Sequence, residues 1–106
     1  MLSKQDLHTA QEFRRRIESV TPVIDVCIFG SRARGDATPE SDLDVFIEVE
    51  RLSPTLREKI FELAWEVGFE RDRVISTIVT TPDQLALGAI GANPLIRQIE
   101  REGIHI

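Results

Sequence analysis

The residues best suited to chemistry in this sequence run from Phe29 to Asp44: Phe29-Gly30-Ser31-Arg32-Ala33-Arg34-Gly35-Asp36-Ala37-Thr38-Pro39-Glu40-Ser41-Asp42-Leu43-Asp44. Gly30-Ser31 is a small-residue turn closing an apolar run, and such a turn lets backbone N–H groups approach phosphate oxygens. Asp42 and Asp44 stand two positions apart at the mouth of a second apolar run. On a strand, positions i and i+2 project from one face, and two carboxylates there can share one divalent ion. Left dry and ionised, they would repel each other. An Asp-x-Asp pair alone reads equally well as two solvated surface acids. Its conjunction with the Gly-Ser turn, each beside a strand pattern, is the specific signal. Turn and pair together describe a site for a nucleoside triphosphate with Mg²⁺.

The elements that must position this stretch can be read from hydrophobic periodicity. Residues 3–20 form an amphipathic helix: Ser3 with Asp6 is an N-cap pattern, and Leu7, Ala10, Phe13, Ile17 and Val20 recur at helical spacing. Thr21-Pro22 breaks it. Val23 to Phe29 is the near-continuous apolar run of a strand buried on both faces, with Asp25 at its exposed end. Residues 31–36 form a short turn or helical turn, and residues 38–41 a loop. From Asp42 the pattern alternates: Leu43, Val45, Ile47 and Val49 share one face, and Asp42, Asp44, Phe46, Glu48 and Glu50 share a wet, acidic one.

Ser53-Pro54 starts a second long helix, with Leu56, Ile60, Leu63 and Val67 as its stripe and Gly68 as its end. Trp65 on this helix is expected in the core or a groove. Residues 73–80, rich in β-branched side chains, read as a third strand. A short helix surrounds Gln84 to Leu87, Gly88 and Gly91 make a turn, and Asn93-Pro94 starts a last helix with Leu95, Ile96 and Ile99 inward, closed by Gly103. The tail from Ile104 adds a short edge strand. The fold class is α+β: one domain over residues 1–106, a small mixed β-sheet with helices packed on one face.

Composition narrows the function. The chain carries 13 Lys and Arg against 18 Asp and Glu, a net charge of −5. That balance argues against a general nucleic-acid binder, which carries a basic stripe. Cys27 is the single cysteine, so there is no internal disulfide and no cysteine zinc site. The N-terminus is polar from its third residue and no apolar run spans a bilayer, so a cytoplasmic location is expected and a membrane is not a partner. Neither His8 nor His105 lies near the motif in sequence, and no hydrolase triad pattern is present.

Gly30-Ser31-x-Ala33-Arg34-Gly35 followed by Ser41-Asp42-Leu43-Asp44-Val45 resembles the motif of the DNA polymerase β-like nucleotidyltransferase superfamily. The small size and the ending from Asn93-Pro94-Leu95-Ile96 to Glu102-Gly103-Ile104 resemble its minimal nucleotidyltransferase branch. The resemblance implies the nucleotidyltransferase fold and transfer of NMP from an NTP to a hydroxyl, with release of pyrophosphate. Carried onto this sequence, Gly30 and Ser31 hold the terminal phosphates, Asp42 and Asp44 ligate Mg²⁺ (or Mn²⁺) and are the catalytic pair, and Arg32 or Arg34 offsets phosphate charge unless it is a solvated loop arginine. The family normally adds a third carboxylate from the next strand. Here that strand, Val74-Ile75-Ser76-Thr77-Ile78-Val79, contains no acid; Asp72 before it is the better candidate for a third ligand, and Asp83 follows it.

Two functional expectations result. The first is ATP-dependent adenylylation of a protein hydroxyl, as the antitoxin of a toxin–antitoxin pair whose other member is a small helical HEPN-family protein. The acidic charge suits a basic partner of that kind. The second is a nucleotide-binding antitoxin or regulatory subunit, weak or inactive in catalysis, that acts by contact. Transfer to RNA or to a small molecule is disfavoured by the acidic surface and the absence of a second substrate domain. The acceptor, the base preference and any homo-oligomer stay open at this level.

Overall fold

The apolar run from Val23 and the alternating run from Leu43 pair with each other, because each is the other's nearest source of backbone partners and apolar cover. The computed structural model describes residues 2–87 and 93–106. In it β1 (Val23–Phe29) and β2 (Leu43–Val49) are antiparallel, setting Cys27 opposite Phe46 and Phe29 opposite Asp44. β3 (Ile75–Thr80) lies parallel to β2 on its other side, and the two-residue β4 (Ile104–His105) runs antiparallel to β1. The sheet order is β3-β2-β1-β4. A parallel β2–β3 pair requires a crossover, which the long helix α3 (Pro54–Arg71) supplies.

One sheet face carries Val26, Ile28, Leu43, Val45, Ile47 and Val49. It packs against Ala10, Phe13 and Ile17 of α1 (Lys4–Glu18) and against Ile60, Leu63, Ala64 and Val67 of α3. α1 and α3 form the expected helical layer on this face. The opposite face is only partly wet. Cys27, Phe29 and Phe46 are buried there with Ile96 and Ile99 of α5 (Pro94–Glu102), and Leu85 of α4 (Pro82–Leu87) packs alongside. α5 and α4 thus cover part of a face that the expected one-sided packing leaves free of helices. Phe46, which alternation sets among the acids, is 6% exposed because α5 crosses that part of the face. The acids beyond the helix stay accessible.

The remaining elements follow the expected signals closely. Ser3 caps α1 through its side-chain oxygen, Ser53 caps α3 ahead of Pro54, and Asn93 caps α5 ahead of Pro94. Gly30–Arg34 form a short helix, α2, closed by Gly35 in the left-handed region at φ 87°. The turn expected at Gly88 and Gly91 lies outside the described residues.

Gly68 does not end α3. The helix continues to Arg71, with Asp72 as its left-handed cap at φ 54°. Gly68 serves instead as a packing point: a Cβ there would lie 2.5 Å from the carbonyl oxygen of Arg73, whose N–H bonds back to the Gly68 carbonyl at 2.8 Å. Trp65 is not in the core. It is 66% exposed, edge-on to Phe61 with ring centroids 6.5 Å apart.

Candidate active site

β1 ends by delivering its chain into Gly30, and β2 begins beside it. Because Phe29 pairs with Asp44, the turn at Gly30 faces the Asp44 side chain. Gly30 has φ +76°, and a Cβ built on it would sit 2.2 Å from Asp44 Oδ2. Only glycine permits both the left-handed backbone and that approach. Ser31 follows at once, half-buried, so the turn and the second aspartate form one compact site.

Asp44 is half-buried and Asp42 exposed. Burial pushes the Asp44 carboxyl up from its ordinary range, the neighbouring Asp42 adds to the rise, and Arg34 opposes it. That is the electrostatic signature of two acids sharing a face near one cationic side chain. A divalent ion would relieve the repulsion, and oxygen ligands two positions apart suit Mg²⁺, which takes few protein ligands and fills its octahedron from phosphates and water. The donor set therefore fits the ion.

Asp72 does not join the pair. Helix α3 runs past Gly68 and spends Asp72 as its exposed cap, and among the described residues no group of three His, Cys, Asp or Glu side chains is arranged to hold a metal. Asp83 is exposed on α4. The β3 residue laterally paired with Asp44, on the same face, is Ser76. A hydroxyl thus stands on the neighbouring strand beside the acidic pair.

The two arginines of the motif separate completely. Arg32 turns inward and is 9% exposed. Its guanidinium pairs with the buried Asp6 carboxylate at 3.1 Å and donates to the carbonyls of Thr38, Pro39 and Ser41, the last at 2.7 Å. Through these contacts Arg32 ties the 38–41 loop, and hence the start of β2, to α1. Arg34 is exposed and aims at the site, contacting Asp36 at 3.3 Å and Glu102 at 3.1 Å.

Two residues of this assembly lie outside the Gly30–Asp44 stretch and have no site role legible in the sequence. Asp6 reads in the sequence as part of a helix-cap pattern, yet it also holds Arg32 and, at 3.2 Å, Arg73. Glu102, the last residue of α5, accepts from the Gly30 N–H at 3.3 Å across 72 positions of sequence. His8 is exposed on α1, and His105 pairs with Asp25 at 2.9 Å; neither enters the site.

Beside the site lies a groove of about 990 Å³ between α3 and β3, with Asp42 and Ser76 on one wall and Phe61, Trp65 and Phe69 on the other.

A nucleotidyltransferase domain model matches residues 10–104, spanning the turn, the aspartate pair and the closing α5–β4 segment. The chain belongs to the nucleotidyltransferase domain family. This nucleotidyltransferase domain is also 40% identical over 73 residues to a Methanocaldococcus jannaschii protein named as a protein adenylyltransferase, covering 65% of this chain and 73% of that one. Its fold matches a toxin–antitoxin crystal structure with AMP-PNP at a TM-score of 0.67, with 17% identity over 97% of this chain and 72% of the other. It also matches a Shewanella oneidensis complex of a tri-AMPylated HEPN toxin with its MNT antitoxin at a TM-score of 0.57, with 16% identity over 95% of this chain and 70% of the other. At those identities the two structural likenesses speak to the fold. Among the described residues no helix is long and apolar enough to cross a membrane.

Proposed function

We propose that this nucleotidyltransferase domain transfers AMP from ATP to a hydroxyl of a protein acceptor. The observation that carries the reading is the contact between the Gly30 turn and Asp44, which puts a close-approach backbone and an acidic pair at one point. In this reading Gly30 and Ser31 hold the terminal phosphates through N–H and hydroxyl, Arg34 offsets their charge, and Asp42 and Asp44 hold Mg²⁺ (or Mn²⁺). When bound, the ion neutralises phosphate charge and lowers the pKa of the attacking hydroxyl. The acceptor oxygen forms a bond to the α-phosphorus, the bond to the pyrophosphate oxygen breaks, and the hydroxyl proton passes to solvent or to an ionised carboxylate. Arg32 serves this reaction from behind, by fixing the loop that leads into Asp42.

The acceptor we favour belongs to a small helical HEPN-family partner, with this chain as its antitoxin. The adenylyltransferase name of the archaeal relative and the AMPylated toxin in a fold neighbour support that choice, and the net charge of −5 suits a basic partner. The test is Mg²⁺-dependent transfer of label from α-labelled ATP to the HEPN protein. Asp42→Asn with Asp44→Asn is expected to abolish it; equal labelling by that double variant overturns the mechanism.

Ser76 beside Asp44 favours a second reading, in which the site binds nucleotide and neutralises its partner by contact with little turnover. Nucleotide-independent protection from the toxin by the same double variant would select it, and strict dependence on ATP would reject it.

A further inference from the structure

One oxygen of Glu102 gathers three donors. Oε1 accepts from the Gly30 N–H at 3.3 Å, from Arg34 Nη1 at 3.1 Å and from Gln98 Nε2 at 3.1 Å. The first two are the backbone and cationic groups assigned above to the terminal phosphates. The Glu102 side chain is 20% exposed, so it is held at the site's margin rather than free in solvent. We infer that Glu102 is a resident competitor for the phosphate position, a carboxylate that occupies the anion-binding donors until a nucleotide displaces it. This rests on the nucleotide reading of the Gly30 turn.

The backbone around Glu102 has little room to yield. It is the last residue of α5, and Gly103 follows under tight constraint: a Cβ there would lie 2.5 Å from the Ile99 carbonyl oxygen and 2.9 Å from Cys27 Sγ. Beyond it, Ile104 and His105 pair with β1. Displacement is therefore a swing of the side chain away from Gly30 and Arg34, with Gln98, one helical turn back, as the donor it can keep. A phosphate oxygen and a carboxylate oxygen cannot share these donors without like-charge repulsion, so binding and release are coupled, and the coupling is reciprocal. The competitor sets affinity: it keeps Arg34 ordered when no ligand is bound and weakens every ligand that needs the same two donors.

Glu102→Gln separates charge from shape, because the amide keeps an oxygen able to accept from Gly30 while losing the negative charge. Glu100→Gln, exposed on the same helix, removes the same charge elsewhere and controls for overall electrostatics. The experiment is calorimetric titration of the full chain and both variants with Mg·ATP, inorganic pyrophosphate and adenosine, with thermal unfolding confirming the fold. Glu102→Gln is expected to bind Mg·ATP and pyrophosphate roughly three- to tenfold tighter than wild type. Adenosine should be unaffected, and Glu100→Gln should stay within about twofold. Unchanged or weaker binding by Glu102→Gln overturns the inference while leaving the nucleotide reading intact. Absence of Mg·ATP binding to wild type and to both variants overturns both.

Discussion

Gly30 and Asp44 meet so closely that the hydrogen on the Gly30 Cα occupies the space beside the carboxylate: a methyl group there would lie 2.2 Å from Oδ2. The contact joins the end of one strand to the start of the next and places a backbone turn against an acidic side chain. A positive φ of 76° at the same residue makes the requirement for glycine twofold.

Gly30→Ala is accordingly expected to strain both the backbone and the site. The left-handed conformation costs a non-glycine residue about 1–3 kcal/mol, and the methyl group must push Asp44 aside. Urea unfolding should register the first effect and titration with Mg·ATP the second. Wild-type values in both measurements would mean that the turn and Asp44 are not in contact.

Asp44 carries a pH dependence of defined sign. Burial, then Asp42, raise its carboxyl, so the folded state holds that proton more tightly than the unfolded chain does. The stability favoured by protonated Asp44 is complete below the unfolded value and is lost as pH rises through the raised folded value. Ionised Asp44 thus costs stability at neutral pH, and Asp44→Asn is expected to raise the urea midpoint there while losing Mg·ATP binding. Carboxyl resonances followed by NMR should show Asp44 titrating above the ordinary aspartate range, with the midpoint falling in Asp42→Asn. A midpoint unmoved by that substitution would show that the two acids do not sense each other.

Arg32 and Asp6 form a buried pair, with side chains 8% and 4% exposed. Removing Arg32 leaves the buried Asp6 carboxylate with the more exposed Arg73 as its remaining cation, a loss of up to about 3 kcal/mol. Arg32→Ala should show that loss in urea unfolding, together with weakened Mg·ATP binding through the loosened 38–41 loop. Arg32→Lys should recover only part of it, because an ammonium cannot span the Asp6 carboxylate and the Ser41 carbonyl as a guanidinium does. Full recovery by lysine would reduce the role of Arg32 to charge alone.

Much of this was legible in the linear chain because its causes are local. Val23–Phe29 and Leu43–Val49 announce themselves by apolar content and alternation, Ser3, Ser53 and Asn93 by cap chemistry, and Gly30-Ser31 with Asp42 and Asp44 by residue type and spacing. These determine the order of elements and the fold class, and they point to the centre of the candidate site. Direction and distance belong to the tertiary structure. It turned Arg32 into the protein and Arg34 toward the site, although both stand in one short helix, because Asp6 lies on one side of that helix and Glu102 on the other. It buried Phe46 under α5 and spent Asp72 on a helix cap. It also brought Glu102 to Gly30, a pairing no periodicity encodes, since the two residues meet only after the sheet has closed and α5 has packed across it.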